Sequence, residues 1–410
     1  MASNLPPKGM RDFLPKDKAL REYVMKVIRE EYARNGFTEI ETSQIENLSN
    51  LENSDGGDNT KLIFKILKRG DKLKLNQIPE SESALTDLGL RFDLTLPLSR
   101  FYANNRNELP PIFKAIQIGN VFRAERPQKG RYRNFIQCDV DVIGDATNLT
   151  EIELINTVGS ALTKLGLNEL TIKINDRRIL KGLTAAAGFA PEEFQDVAIT
   201  LDKLDKIGQD GILEELSEKG YGEDKITSLM QLSDKLATEG LTAAKELSAE
   251  GFENINEIIE VIESVAANYK IVFDYSLVRG MGYYTSTIFE VFYGSLGYAV
   301  GGGGRYDEMI GKLSGIDVPA CGFSIGYERI IDILREEKRD IPTGTRLALF
   351  YDTRDSLKDV IKTSIELRET YSVVSVFAKK KKFGKQIERL AEQGFDAFTV
   401  YAEELEIKDL

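Results

Sequence analysis

The chain runs to 410 residues, 42% hydrophobic and 29% charged, with 54 Lys and Arg against 66 Asp and Glu and a formal net charge of −12. That length allows two or three domains with real cores, and the charge excludes a general polyanion binder, so any nucleic-acid contact must use a local patch. Histidine is absent and cysteine is confined to Cys138 and Cys321, which excludes a Ser-His-Asp triad, a histidine general base, a His-liganded zinc and a disulfide framework. Catalysis is left to arginine, carboxylates, tyrosine, backbone dipoles or a metal held by oxygen. There is no long apolar run to suggest a membrane span. The start, MASNLPPKGMRDFLP, lacks the apolar centre of a secretory signal. The expected setting is the reducing cytoplasm, away from membranes.

In chain order, Asp17 to Asn35 reads as a helix with Asp17 as its N-cap and Asn35-Gly36 as its stop. Phe37 to Thr42 reads as a strand. Residues 51–75 combine a Gly56-Gly57 loop with the apolar run Leu62 to Leu67. Leu90 to Leu96 reads as a strand that places Asp93 and Thr95 on one face, and Pro97 opens the next helix. Residues 115–144 form a hairpin. Glu151 to Leu165 is helical, and Leu170 to Asn175 extended.

From Asp176 to about Asn268 the pattern is helical, with Ile255, Ile258, Ile259, Ile262, Val265 and Ala266 on one apolar face. Strands return at Lys270–Leu277, Tyr283–Tyr293 and Gly297–Val300. Residues 336–345 (EEKRDIPTGT) read as a linker. Beyond it, strands at Leu347–Tyr351, Val373–Phe377 and Phe398–Tyr401 alternate with helices at Ser356–Glu369 and Gly384–Gln393. This is the pattern of a small α/β domain with a partly parallel sheet. Its Lys379–Lys382 run, with Lys385 behind it, is the clearest basic patch. On composition alone it is a solvated loop beside a helix start.

Four segments carry chemistry: Leu90 to Thr95; FRAERPQKGRYRNFIQCDVDVIG from Phe122 to Gly144; Arg279 to Thr285, running into Phe289 and Glu290; and Gly301 to Asp307, followed by Pro319 to Arg329. Arg123, Arg126, Arg131 and Arg133 offer planar donor forks suited to phosphate oxygens, and the following alternation offers Asp139 and Asp141. Such a surface suits a ligand anionic at one end and cationic at the other. The glycine run lacks the Gly-Lys-Ser/Thr ending of a P-loop but permits a ligand to approach the backbone.

In this order, KGMRDFLP, RFDLT, FRAERPQKGRYR, QCDVD, RGMGYYT, GGGRYD and GFSIGYER resemble the histidyl-tRNA synthetases, class II aminoacyl-tRNA synthetases, over nearly the whole chain. The resemblance implies an α+β fold: a class II antiparallel sheet flanked by helices (1–175 and 269–335), a helical insertion (176–268), a linker (336–345) and a C-terminal α/β domain like those that bind anticodons (346–410). It implies a homodimer made partly through Gly36–Glu46, and ATP with Mg²⁺, histidine and tRNA(His) as partners. It assigns Arg123 to the ATP α-phosphate, Glu125 and Phe135 to adenine, and Arg131 and Arg329 to the outer phosphates. Asp93, Thr95, Gln137, Asp141, Tyr284 and Tyr306 are assigned to histidine, and Arg279 to the reacting carboxylate and α-phosphate. Gln128 and Arg133, with Lys380 and Lys381 of the basic patch, are the candidate tRNA contacts. Ser43, Gly282, Ser286 and Asp93 depart from the usual proline, acid, glycine and glutamate at those places. The stop at Leu410, short of a further helix usual in relatives, bears on anticodon affinity rather than catalysis. The rival reading is an inactive paralogue, a histidine-binding regulatory subunit of ATP phosphoribosyltransferase. Such paralogues erode the phosphate-binding arginines, and all four are present here.

Overall fold

The computed structural model describes residues 4–52, 61–73, 81–127, 130–266, 268–279, 284–339, 342 and 344–410. The chain divides into two compact units, Met1–Lys338 and Arg339–Leu410.

In the first unit, eight strands among the described residues form one mixed sheet. Its order is Thr38–Glu39, Phe113–Phe122, Asn134–Ile143, Ala320–Ile325, Gly301–Arg305, Thr287–Tyr293, Leu170–Asp176, Tyr269–Phe273. The two edge pairs are parallel and the interior pairs antiparallel. The Phe113–Phe122 and Asn134–Ile143 strands pair over ten residues each, from Phe113↔Ile143 to Phe122↔Asn134. Alternation along the second strand sends Cys138, Val140 and Val142 into the apolar core with Val24, Ile28 and Tyr32 of the Pro15–Arg34 helix and Leu154, Ile155 and Val158 of the Leu149–Lys164 helix. Gln137, Asp139 and Asp141 therefore take the opposite face.

The Leu170–Asp176 and Tyr269–Phe273 strands are parallel neighbours. Parallel neighbours need a crossover, and here it is the run of helices from Arg177 to Val265. Ile255, Ile258 and Ile262 of its last helix are buried in the same core as Ile172 and Ile174 of the sheet. Val265, expected on that apolar face, is 58% exposed.

Several expected boundaries move. The first helix opens at Pro15, with Leu14 as N-cap and Asp17 inside its first turn. Proline fits there because its missing N–H would have no partner in any case. The Phe37–Thr42 strand shrinks to Thr38–Glu39. The strand expected over Leu90–Leu96 ends at Leu90, and a helix begins at Thr95. The strand expected at Gly297–Val300 is instead the glycine run itself, Gly301–Arg305. Gly56, Gly57 and Gly280–Tyr283 lie outside the described residues.

The second unit holds a sheet ordered Val373–Ala378, Arg346–Tyr351, Ala397–Val400, Lys408–Asp409, the first three parallel and the last antiparallel. Helices Leu357–Leu367 and Phe383–Glu392 connect them.

Candidate active site

The sheet face that carries Gln137, Asp139 and Asp141 opens on a cavity of about 450 Å³. All twelve residues expected to bind ATP or histidine line it: Asp93, Thr95, Arg123, Glu125, Arg131, Phe135, Gln137, Asp141, Arg279, Tyr284, Tyr306 and Arg329.

Arginines gather at one end. Arg123, just past the Phe113–Phe122 strand, donates from Nε to the Phe92 carbonyl at 3.0 Å, and its guanidinium lies 5.1 Å from the Phe135 ring centroid. Arg131 and Glu125 face each other at 3.8 Å across the hairpin end. Arg329, on the first turn of the Tyr327–Glu336 helix, donates to the Ala299 carbonyl and lies 5.2 Å from the Tyr298 ring. Burial, then the charges of Arg279 and Arg131, push the Arg329 pKa down. Guanidiniums this close are held together against their repulsion, which an incoming polyanion would relieve. Arg279 pairs with Glu290 and lies flat on the glycine strand, where a Cβ on Gly302 would fall 2.6 Å from its Nη1. That close approach explains a glycine there.

Asp93, Asp139 and Asp141 face the same cavity. Asp141 Oδ1 accepts the Tyr306 hydroxyl at 2.6 Å, while Asp141 Oδ2 and Gln137 Oε1 are buried without a hydrogen-bond partner among the described residues. Unsatisfied buried acceptors in a cavity wall are ready to receive donors from a ligand. Burial pushes the Asp141 carboxyl up to about 7, with the Tyr306 hydrogen bond opposing and the Asp93 charge adding. Asp93 and Thr95 stand at a helix N-terminus rather than along a strand, with Asp93 Oδ1 accepting the Leu96 amide at 3.2 Å. Tyr284 lines the wall, and its carbonyl accepts from Arg177 at 2.7 Å.

Asp139 was absent from the expected ligand set, yet it lines the cavity, 4% exposed, and accepts from Ser324 Oγ. Ser324 in turn accepts Gln137 Nε2 at 3.2 Å. Burial, then the neighbouring Asp141 charge, push the Asp139 carboxyl well up. The alternation Gln137, Asp139, Asp141 was the signal that could have found it.

Gly322 makes room for Asp141: a Cβ there would fall 2.0 Å from Asp141 Oδ1. Gly322→Ala is expected to cost about 1–3 kcal/mol of stability and, if the expected assignments hold, to raise the KM for histidine while leaving that for ATP unchanged. Melting curves and steady-state kinetics check both.

Among the described residues, the expected tRNA contacts are not in the cavity wall. Arg133 turns back on its own hairpin, donating from Nε to the Glu125 carbonyl at 3.0 Å. Lys380 and Lys381 are exposed in the turn between the Val373–Ala378 strand and the Phe383–Glu392 helix of the second unit. Gln128 lies outside the described residues.

A mostly antiparallel sheet whose long hairpin and Tyr327–Glu336 helix bring arginines into one cavity with buried acids defines a class II aminoacyl-tRNA synthetase catalytic unit. The family model described as Histidyl-tRNA synthetase matches residues 9–330. A histidine–tRNA ligase of Leifsonia xyli subsp. xyli is 41% identical, with 97% of this chain and 95% of that protein covered. One from Christiangramia forsetii is 36% identical, with 98% and 93% covered. Among solved structures, histidyl-tRNA synthetase from Nostoc sp. PCC 7120 superposes with a TM-score of 0.82 at 25% identity, covering 100% of this chain and 95% of that one. An ATP phosphoribosyltransferase regulatory subunit/histidyl-tRNA synthetase from Bacillus halodurans shares the fold, with a TM-score of 0.78 at 20% identity over 98% and 100% of the two chains. The chain belongs to the histidyl-tRNA synthetase family.

Proposed function

We propose that the chain activates histidine with ATP to histidyl-adenylate and transfers the histidyl group to the 3′ end of tRNA(His). The observation that carries this is the joining of arginines and acids in one cavity. In the first step a histidine carboxylate oxygen bonds to the α-phosphorus and the bond from that phosphorus to the bridging oxygen breaks, releasing pyrophosphate. The nucleophile is already an anion, so no proton need be removed. The protein must position the two groups in line and neutralise phosphate charge.

Arg123 takes the α-phosphate, Arg131 and Arg329 the outer phosphates, and Arg279 the carboxylate and α-phosphate as they react. Phe135 stacks on adenine and Glu125 accepts from it. Asp93, with Thr95 and Gln137, meets the ammonium group. Asp141 and a tyrosine hydroxyl, from Tyr284 or Tyr306, each address one imidazole nitrogen. No cluster of three metal-ligating side chains occurs among the described residues. We place Mg²⁺ on the triphosphate with at most one or two protein carboxylates, as is usual for it. Glu290, beside Arg279, is placed to be one of them. Bound there, the ion would neutralise charge on the outer phosphates.

A histidine-binding regulatory subunit of ATP phosphoribosyltransferase has no use for a triphosphate grip. Arg123, Arg131, Arg279 and Arg329 on one cavity therefore favour catalysis. We further infer a homodimer through the Gly36–Glu46 region, where Thr38–Glu39 is an edge strand with a free side, and a cytoplasmic setting. Among the described residues no helix is long and apolar enough to cross a membrane.

Transfer of labelled histidine to a tRNA(His) transcript tests the full reaction, and histidine binding without transfer would favour the regulator. In the same assay, replacing both Lys380 and Lys381 by alanine is expected to raise the KM for tRNA by about tenfold at physiological salt, with adenylate formation unchanged. An unchanged tRNA KM would remove the basic turn from the tRNA path.

A further inference from the structure

The segment around Gly9–Phe13 laces together two walls of the cavity. Gly9, at φ 87°, accepts the Arg133 amide at 2.8 Å, and a Cβ there would fall 2.7 Å from Pro127 Cγ. Two residues on, the Arg11 guanidinium lies 3.3 Å from the centroid of the Tyr132 ring and 5.0 Å from that of Phe13. The same guanidinium pairs with Glu328. Glu328, 5% exposed, also takes Arg21 in a two-pronged bond of 2.6 and 2.8 Å.

Tyr132 and Glu328 both line the cavity, and their chain neighbours are Arg131 and Arg329. Burial alone would push the Glu328 carboxyl up, but the hydrogen bond and charge of Arg21, with those of Arg11, hold it below its ordinary value. Arg21 already neutralises Glu328. Arg11 is a second guanidinium on that carboxylate, and its charge also reaches Asp332, one turn on in the same helix.

We propose that Arg11 is a positioning residue for the nucleotide: by gripping Tyr132 and Glu328 together it fixes the spacing of Arg131 and Arg329, so that the two meet the outer phosphates as a pair. This rests on the synthetase reading of the cavity.

The test compares Arg11→Ala and Arg11→Lys with the parent chain by ATP–pyrophosphate exchange, by calorimetric titration with ATP, and by thermal unfolding. Arg11→Ala should raise the KM and Kd for ATP by about tenfold and leave the KM for histidine within about twofold, because misplacement of one wall is felt by the group bound there. Arg11→Lys keeps a charge opposite Glu328 but not the plane on Tyr132, and should recover only part of the loss. A variant that melts earlier yet keeps the parent affinity for ATP would overturn the proposal, since a purely structural staple predicts that result. If Arg11→Ala does not fold, Tyr132→Leu removes the ring and spares the ion pair; it must show the same selective weakening toward ATP, and its absence would overturn the proposal too. A parent chain without histidine-dependent exchange would instead sink the synthetase reading, and the ATP titrations would still decide the role of Arg11.

Discussion

Arg279→Ala is expected to lower histidyl-adenylate formation by on the order of 10²- to 10³-fold, the usual cost of removing one charge-stabilising donor from a transition state. The side chain is about one-third exposed, lies on the backbone of Gly302 and pairs with Glu290. It adds little to the core, so the variant should unfold within a few degrees of the parent. The loss should fall on turnover at saturating ATP and histidine, because the proposed place of Arg279 is where carboxylate and α-phosphate react. Pyrophosphate exchange beside a melting curve separates the two effects, and full turnover in the variant would remove Arg279 from the reaction.

The second large effect has two opposed halves. Asp141→Asn should raise the KM for histidine by on the order of 10²-fold or more, since a site built to hydrogen-bond a polar substrate loses most when a partner is lost. The same variant should be more stable than its parent in weakly alkaline solution. The Asp141 carboxyl sits near 7 in the folded chain against an ordinary value of 3.8. Folding therefore favours its neutral form, and its contribution is fully favourable below the ordinary value. That contribution is lost as pH rises through about 7, for a penalty on the order of 4 kcal/mol at most. Asparagine keeps an oxygen for the Tyr306 hydroxyl and carries no such penalty. Thermal unfolding without ligand should show the variant ahead of the parent at about pH 8, with the gap closing toward pH 4. A gap that widens as pH falls would contradict the assignment.

The lining of the cavity was largely legible in the sequence, because the expected chemistry needs particular side chains at fixed spacing on strands. The hairpin offered Arg123 and Asp141, the family resemblance added Gln137, and all three line one cavity. Less legible was whatever tertiary contact decides. The run from Leu90 to Leu96 alternates like a strand, yet the Asp93 carboxylate takes the Leu96 amide and the chain turns helical at Thr95. Pro97 is tolerated because the first turn lacks partners for its N–H. Gly301–Gly304 has little strand propensity of its own. It becomes a strand because Thr287–Tyr293 and Ala320–Ile325 pair with it on both sides. Asp139 shared the alternation of Asp141, but its bond from Ser324 on the neighbouring strand had no local signal. The grip of Arg11 on Glu328 spans 317 residues of chain, a pairing that no local pattern announces.

The proposed reaction requires one cavity to serve both a triphosphate and an imidazole amino acid. Amino-acid-dependent ATP–pyrophosphate exchange, run with each of the standard amino acids in turn, tests it most directly. Exchange with histidine alone is the predicted result. Exchange driven equally well by an amino acid lacking the imidazole, or histidine binding with no exchange at all, would contradict it.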